Sequence, residues 1–425
     1  MYILAIVAFL LIITIVLLCI FLPSPVVPPR AIANLEIAAG SELANSGLVN
    51  DRSLHVPKFT QRGVIAEGSH IGSHIGNAVA ISFDGSTIAS CGELNLSFYN
   101  GDGTLISTLQ SAGNNLNRSS VAISANGTVC AVSSGSFIDG QDVYYHPVVY
   151  RRANAYSSEW TRCEPIYLFG TSDSPDTDQQ GCSLAISYDG CTLAFGGKNY
   201  DNGIGAVWVF TFDGDRWSEQ ARLKGSGYIG SLVNQGARIG LSGDGNTLVV
   251  SGSRHADGEG AIWVFNRVHV TWSQTQMFQA PYVNNANQGL YAAISGDGLT
   301  LAFTANPVEL TYAGVLYVWV FDGSKWVIFP GATQFYTDLM NGPLCINHDG
   351  SIICIARNQD WGNRIVHVYQ SDHKSPFTEI AQAIPSNLDI VANYGECISI
   401  CDSKLVVGAP VSDLHRGAVV LFDIE

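Results

Sequence analysis

The hydrophobic pattern of the chain has two parts. Residues 2–22 form an uninterrupted apolar run without a charged side chain, and such a run is long enough to cross about 30 Å of hydrocarbon as a helix. From residue 57 onward the apolar positions come in short runs, often alternating with polar positions and separated by glycine-containing turns. Alternation with a period of two indicates half-buried β-strands. The pattern therefore predicts one transmembrane anchor, residues 1–22, followed by a body built of strands.

One strand–turn–strand pattern recurs along this body. In its commonest form a small residue is followed by Ile-Ser-x-Asp-Gly-x-Thr, as in AISYDGCTLA. The seven copies start at Ala80, Ala122, Ala185, Gly240, Ala293, Cys345 and Cys397. Repeats of about fifty residues with several strands in each are the sequence signature of β-propeller blades. The copies therefore predict an all-β, seven-bladed β-propeller.

Each repeat predicts four strands, A to D. The Asp-Gly or Asn-Gly pair, absent only from the last copy, is expected to form a bare two-residue turn between strands A and B. Strand C has alternating large residues, as in AVWVFTF from Ala206, and strand D follows, as in WSEQARL from Trp217. The last copy ends after its strand C, whereas KFTQRGVI from Lys58 precedes the first strand A. We expect this N-terminal segment to be the outer strand of the seventh blade, because ring closure hides strand edges.

The segment between the anchor and the propeller is rich in proline and alanine. Residues 23–56 are predicted to be a tether, which leaves residues 57–425 for the propeller. The near flank of the anchor offers only Arg30, so the positive-inside rule does not set the orientation of a single span. The expected location is a membrane, with the propeller either outside the cytoplasm or within a virion.

The segments after strand B resemble the FG-GAP type of propeller repeat, which is found in the head domains of integrin α-chains. The resemblance rests on GAVWVF at Gly205, GAIWVF at Gly260 and GAVVLF at Gly417, together with LSGDGNTLVVSG from Leu241. It implies the propeller architecture and leaves the activity open. Many integrin-like repeats hold calcium in an enlarged A–B loop, whereas the turns here are too short to supply six to eight oxygen ligands. No metal and no cofactor are therefore expected.

The net charge and the missing sequence motifs exclude several classes of function. The chain is acidic, with a formal net charge of −15, and such a chain repels phosphate backbones, so nucleic acid is not an expected partner. No C-x-x-C or H-E-x-x-H motif predicts zinc. A propeller glycan hydrolase would need arginines, an acid and a nucleophilic tyrosine at the axis, and the arginines lie at unmatched repeat positions. Disulfides between Cys182 and Cys191 or between Cys345 and Cys354 are conceivable across paired strands.

The loops after strands B and D are long and differ in every blade. Antiparallel strands place these loops on one face of the ring and the short A–B and C–D turns on the other, and variable loops on a rigid frame are where recognition usually occurs. Aromatic and cationic residues on the long loops are expected to be exposed and are candidate contacts with a partner. These candidates are Tyr200, Tyr228, Arg254, His255, Tyr282, Tyr336, Trp361, Arg364, His415 and Arg416. Three N-x-S/T sequons, at Asn95, Asn117 and Asn126, are candidate glycosylation sites.

The sequence thus favours a single-pass membrane protein that presents a propeller as a non-enzymatic interaction module. The expected partner is a protein or a glycan. The first alternative is a structural protein of a larger assembly, such as a virion with an internal membrane. The second alternative is a propeller glycan hydrolase.

Overall fold

The structure, a computed structural model, contains seven four-stranded antiparallel sheets arranged as a propeller. It describes residues 57–67, 73–92, 95–110, 120–133, 136–138, 141–143, 146–165, 167–173, 178–279, 286–306, 314–329, 342–358, 364–385, 393–411 and 416–425. Val56–Glu425 form one compact unit. Within the ranges given, no helix is both long and apolar enough to cross a membrane. The predicted anchor and tether, residues 1–22 and 23–56, lie outside those ranges.

The innermost strands of the seven blades form a closed ring. Each of them contacts the innermost strands of both neighbouring blades. In blade order these A strands are β2 (Ala78–Ile81), β6 (Ser120–Ile123), β12 (Gln180–Ile186), β16 (Ile239–Leu241), β20 (Ala292–Ile294), β24 (Leu344–Ile346) and β28 (Cys397–Cys401). The predicted all-β propeller of seven four-stranded blades is therefore confirmed.

The other strands follow outward in the predicted order. The B strands are β3 (Thr87–Cys91), β7 (Val129–Ser133), β13 (Thr192–Gly197), β17 (Thr247–Gly252), β21 (Thr300–Ala305), β25 (Ile352–Asn358) and β29 (Lys404–Ala409). The C strands are β4 (Asn95–Asn100), β10 (Val148–Arg151), β14 (Ala206–Phe212), β18 (Ala261–Val268), β22 (Val315–Phe321), β26 (Arg364–Gln370) and β30 (Ala418–Ile424). The D strands are β5 (Leu105–Gln110), β11 (Thr161–Arg162), β15 (Trp217–Leu223), β19 (Thr271–Phe278), β23 (Trp326–Ile328), β27 (Thr378–Ala383) and, for the seventh blade, β1 (Phe59–Glu67). A short hairpin, β8 (Ser136–Ile138) and β9 (Gln141–Val143), is inserted between strands B and C of the second blade.

The ring closes as the sequence predicts. Strand β1 pairs antiparallel with β30 and completes the seventh sheet, with Phe59 opposite Ile424 and Glu67 opposite Ala418. Phe59 and Val64 of this strand pack against the apolar core of that blade. The first part of the described chain thus covers the outer edge of the last strand.

The core consists of the layers between adjacent blades. Val207 and Val209 of blade 3, for example, pack with Leu248 and Val250 of blade 4. Burying each such side chain contributes roughly 1.5–3 kcal/mol. Both faces of these sheets are covered by the neighbouring blades, which explains why the central strands are apolar almost throughout.

The A–B turns differ from the expected two-residue form. In the first six blades five residues connect the strands, and in blade 4 they are Ser242 to Asn246, where the Ser242 N–H donates to the Thr247 carbonyl (2.9 Å). Asp244 Oδ1 accepts hydrogen bonds from Ser242 Oγ (2.5 Å) and from the Asn246 N–H (2.9 Å). Only Gly245 has a positive φ, of 70°. The prediction of a bare two-residue turn is therefore wrong for these blades, because the serine belongs to the turn as well.

The seventh blade has the shorter turn. Cys401 pairs directly with Lys404, so only residues 402 and 403 lie between them. This difference shifts the alignment of the last repeat by two residues, because Ile400 pairs with Leu405 as Ile81 pairs with Ile88. Cys397 therefore does not occupy the position of Ala80, as the sequence alignment predicted.

Candidate binding surface

The structure describes six of the ten candidate contact residues. They are Tyr200, Tyr228, Arg254, His255, Arg364 and Arg416, whereas Tyr282, Tyr336, Trp361 and His415 lie outside the described residues. Of the sequons, Asn95 begins β4 and Asn126 is exposed in an A–B turn, and Asn117 is not described. Asn126 Oδ1 accepts a hydrogen bond from the Thr128 N–H (3.1 Å), as the aspartates do in the other turns.

Two B–C connections share a left-handed turn. Tyr200–Gly203 in blade 3 and His255–Gly258 in blade 4 each contain two consecutive non-glycine residues with positive φ, for example Asp201 (φ 53°, ψ 52°) and Asn202 (φ 57°, ψ 33°). Such residues cost free energy unless the surroundings hold them. A glycine follows each turn and forms a backbone bridge to the next blade, Gly205 with Gln235 and Gly260 with Gln288. These bridges hold the loops in place.

The first residue of each turn packs onto a tryptophan beneath the loop. The Tyr200 ring meets Trp208 edge-on, with 5.3 Å between ring centroids, and the His255 ring meets Trp263 in the same way at 5.7 Å. His255 is only 1% exposed, and its Nδ1 accepts a hydrogen bond from the Ile229 N–H at 3.1 Å. Burial lowers the pKa of His255. The expectation that His255 is exposed is therefore wrong, because this side chain holds the neighbouring loop.

Exposed apolar side chains lie on the loop between blades 3 and 4. Ile229 is 64% exposed and Leu232 is 52% exposed. Leu232 leans over the B–C turn of blade 3, since a Cβ on Gly203 would come within 2.5 Å of Leu232 Cδ2. We call Tyr200, Tyr228, Ile229 and Leu232 the blade 3–4 ridge. The sequence pattern predicts the two tyrosines as contacts but not the two aliphatic residues, although an apolar pair inside a glycine-rich loop is a usable signal.

A cationic side chain lies beside each of the two tyrosines of the ridge. The Arg222 guanidinium lies 4.9 Å from the centre of the Tyr200 ring. Lys224 Nζ lies 2.9 Å from Asp201 Oδ2 and 6.0 Å from the centre of the Tyr228 ring. Asp201 accordingly raises the pKa of Lys224. The ridge is thus an apolar strip bordered by charged groups, which is the composition of protein interfaces.

The loop that carries the ridge is fixed by hydrogen bonds. Gln235, whose side chain is buried, accepts from the Gly225 N–H (2.6 Å) and donates to the Gly225 carbonyl (3.0 Å). The Ala256 N–H donates to the Ile229 carbonyl (2.9 Å). The Trp263 indole donates to the Ser226 carbonyl (2.9 Å). The exposed apolar side chains therefore extend from an ordered backbone.

A polar cleft of about 570 Å³ opens beside the ridge. Leu232 and Tyr200 form its apolar part, and most of the remaining lining is polar or acidic: Ser172, Asp173, Asp178, Asn199, Asp201 and Asn202. Asp178 is buried and hydrogen-bonded to Ser172, and this burial raises its pKa. Among the residues that the structure describes, no cluster of His, Cys, Asp or Glu side chains has the arrangement of a metal site.

The candidate arginines are in different surroundings. Arg254 is exposed, and its backbone N–H donates to the Val233 carbonyl (3.3 Å), which places it next to the ridge. Arg364 forms an ion pair with Glu396 in the long-loop region of blades 6 and 7. Arg416 is half-buried, and its carbonyl accepts from the Ile75 N–H (3.1 Å) at ring closure. The structure thus brings Tyr200, Tyr228 and Arg254 to one surface and places Arg364 and Arg416 in other blades.

The centre of the short-turn face is filled by aromatic side chains. Phe83, Tyr188 and His348, from the A–B turns of blades 1, 3 and 6, meet across the axis with ring centroids 4.7–5.4 Å apart. Tyr188 Oη lies 3.0 Å from His348 Nδ1. Glycine at position 296 leaves the space for this contact, because a Cβ there would come 1.9 Å from Tyr188 Oη. On this face the axis therefore ends in packed rings.

A glycan hydrolase would require convergent arginine, tyrosine and acid side chains. Arg357 Nη1 donates to Tyr369 Oη (2.8 Å) and lies 3.8 Å from Glu379 Oε2. These residues belong to strands B, C and D of blade 6, on the side where Ile355 and Tyr369 pack against blade 5. This cluster is therefore located between blades rather than at the axis.

The chain matches no protein-family model, and it matches no curated protein.

Proposed function

We propose that this propeller is a non-enzymatic protein-binding module, held at a membrane by residues 2–22, and that the blade 3–4 ridge contacts the partner. The observation that carries the proposal is the exposure of Ile229 (64%) and Leu232 (52%) on a loop fixed by hydrogen bonds. Apolar side chains on an ordered backbone lose little conformational entropy on binding, and covering them removes apolar surface from water. The membrane attachment is supported by the apolar run alone.

The FG-GAP identity is likewise part of the proposal. It is supported by the common position of the motif glycines: Gly205, Gly260 and Gly417 all form backbone bridges between blades. The integrin-type calcium cage is not part of the proposal. In the A–B turns of blades 4 and 5, Oδ1 of Asp244 and of Asp297 accepts a hydrogen bond from a serine side chain, and Asp244 Oδ1 also accepts one from a backbone N–H.

A second candidate is a structural role in a larger assembly. Two valines at the C–D hairpin of blade 4, Val268 at the end of β18 and Val270 in the turn, are 67% and 69% exposed on the opposite face of the ring. Apolar residues on both faces suit a subunit with neighbours on both sides. The two candidates therefore differ in the number of faces that are covered.

Site-specific photo-cross-linking in the native membrane tests both candidates. A photoreactive amino acid replaces Ile229 in one variant and Val270 in another, and replaces the exposed Ser218 on the outer strand of blade 3 as the control. A binding module gives a discrete protein adduct at position 229 and none at 270 or 218. Adducts at both 229 and 270 indicate an assembly subunit, and the absence of an adduct at position 229 contradicts the proposal.

Charge insertion measures the contribution of the ridge. The paired substitution Ile229→Asp and Leu232→Asp is expected to weaken partner binding by about 100-fold or more, because interface anchors typically contribute about 2 kcal/mol or more each. The matched control is the paired substitution Val268→Asp and Val270→Asp. Co-purification of the cross-linked partner with each variant gives the readout.

A further inference from the structure

Two cysteines face each other across strands A and B of blade 6. Cys345 of β24 is directly opposite Cys354 of β25. The pairs two positions away on either side are hydrogen-bonded, since the Asn347 N–H donates to the Ile352 carbonyl (3.1 Å) and the Ala356 N–H donates to the Pro343 carbonyl (3.0 Å). Pairs alternate along an antiparallel ladder, so Cys345 and Cys354 also form a hydrogen-bonded pair, with Cα atoms about 5.5 Å apart. That separation is within the range of disulfides.

The two side chains lie on the same side of the sheet. Both cysteines pack against the apolar layer between blades 6 and 7. Both thiols are free in this structure. Formation of a bond between the two sulfur atoms therefore requires no change of strand register.

The same position holds different residues in the other repeats. In blades 1, 2, 3 and 5 the corresponding cross-strand pair is alanine with alanine, for example Ala80 with Ala89 and Ala293 with Ala302. Only in blade 6 are both members of this pair cysteine. A single buried cysteine is explained as a small apolar residue, but a facing pair also supplies both halves of a cross-link.

We propose that Cys345 and Cys354 form a disulfide when the chain folds in the presence of a small disulfide such as oxidised glutathione. A thiolate of one cysteine attacks the glutathione disulfide, whose sulfur–sulfur bond breaks and releases one glutathione thiolate. The second cysteine then attacks the mixed disulfide and releases the other glutathione. The protein loses two electrons and two protons, and two molecules of reduced glutathione take them up.

The bond is expected to form during folding rather than in the native state. The thiolate is the attacking species in thiol–disulfide exchange. Burial raises the pKa of Cys345 well above its ordinary value, so the folded protein holds this thiol protonated at neutral pH. An incompletely folded blade exposes both thiols to solvent and to the oxidant. The presence or absence of the cross-link therefore depends on the redox state of the compartment in which the chain folds.

The second disulfide that the sequence allowed is excluded by the strand register. Cys182 lies at the start of β12, where Ser183 pairs with Gly196, whereas Cys191 immediately precedes Thr192 at the other end of the hairpin. The two are at least five residues apart along the ladder, or roughly 17 Å at the strand rise, and a disulfide tolerates at most about 7 Å between Cα atoms. Cys182 Sγ instead donates to the Gly236 carbonyl (3.3 Å).

Peptide mapping of the full chain tests the proposal. The protein is unfolded with reductant, refolded in a glutathione redox buffer, and alkylated. Cleavage before Asp349 separates the two cysteines, so only a disulfide keeps the two peptides together. We expect the linked pair to be the main form of both cysteines, and to be lost on reduction. The same buffer applied to the folded reduced protein at pH 7 should give the linked pair at least tenfold more slowly.

Two substitutions and a fold check serve as controls. Cys354→Ser should leave Cys345 fully alkylated, whereas Cys191→Ser should leave the linked pair unchanged. Circular dichroism shows whether each sample has refolded. Alkylation of both Cys345 and Cys354 in a folded sample from the oxidising buffer would overturn the proposal, as would linkage of either one to a different cysteine.

Discussion

At the residue scale, the glycine of the GA motif has a role that its spacing alone does not reveal. Gly260 has a φ of 78° and forms a backbone bridge with Gln288 of the next blade. A Cβ at this position would come 2.3 Å from the Gln288 carbonyl oxygen, which is closer than side chains approach. Gly205 and Gly417 stand in the same relation to Gln235 and Ile75. The motif therefore marks the points where consecutive blades are joined.

Replacing Gly260 with alanine should destabilise the propeller by about 2–5 kcal/mol, through left-handed strain of about 1–2 kcal/mol and overpacking of about 1–3 kcal/mol. Gly214→Ala is the matched control, because Gly214 has a φ of 107° but nothing within 4 Å of the added Cβ. The midpoint of urea unfolding reports both effects. Equal shifts of the urea midpoint in the two variants would mean that the close approach at the blade junction does not lower the free energy of unfolding of the alanine variant.

Part of this residue-scale picture was accessible from the sequence. The repeat positions of Gly205, Gly260 and Gly417 stood out at once, but the partner of each glycine comes from another repeat whose loop has no fixed length. His255 shows the opposite case, since a polar residue in a long loop predicts exposure and the structure buries it beneath Ile229. Burial of a loop residue depends on which loop packs beside it, and the sequence of the residue's own segment does not determine that neighbour.

At the scale of elements, the hairpins depend on carboxylates that cap their turns. Asp322 in the C–D turn of blade 5 accepts hydrogen bonds through Oδ1 from the N–H groups of Ser324 and Lys325, both at 2.9 Å. The Lys325 N–H and the Ser324 side chain lower the pKa of Asp322. Asp102, Asp213 and Asp372 occupy equivalent turns, and hydrogen bonds within each turn lower their pKa values as well.

These turns predict a loss of stability in acid. A carboxyl group whose pKa is lower in the folded state stabilises the fold above its unfolded pKa of about 4 and loses that contribution as the pH falls through the folded value. We therefore expect these four carboxyl groups to contribute a fall in the unfolding free energy below about pH 4. Urea midpoints between pH 7 and pH 3 measure this dependence.

Asparagine substitutions at the same four positions distinguish the contribution of these turn carboxylates to acid sensitivity from that of the other carboxylates. The combined variant Asp102→Asn, Asp213→Asn, Asp322→Asn and Asp372→Asn keeps a carbonyl oxygen as acceptor and does not titrate. It should lose less stability than the wild type between pH 5 and pH 3. An unchanged slope would assign the acid sensitivity to other residues.

At the scale of the whole molecule, one N-terminal strand closes the ring. Strand β1 pairs with β30 along its length, and Phe59 and Val64 complete the core of the seventh blade. The Lys58 and Glu425 backbones also exchange hydrogen bonds of 2.8 and 3.0 Å. Closure leaves no unpaired edge on β30, which would otherwise be open to pairing with another chain.

Two deletions test the anchor and the closing strand together. Removing residues 2–22 should move the protein from carbonate-resistant membranes to the soluble fraction and leave the urea midpoint unchanged. Removing residues 2–67 should in addition lower the unfolding free energy by about 3–6 kcal/mol, from the lost burial of two large apolar side chains, and should promote aggregation. Membrane fractionation and urea unfolding measure the two effects. A soluble full-length chain would contradict the anchor, and an unchanged midpoint in the longer deletion would contradict the closing strand.

The sequence by itself determined the number of blades, the strand order and the ring closure, because these follow from local periodicity and from a repeat that each blade copies. Tertiary structure decided which residues meet across blades: the ridge at Ile229 and Leu232, the rings of Phe83, Tyr188 and His348, and the pairing of Cys345 with Cys354 rather than of Cys182 with Cys191. Such contacts depend on strand register and on the packing of loops from different repeats, and a one-residue change of register reverses the side of a strand on which a residue lies.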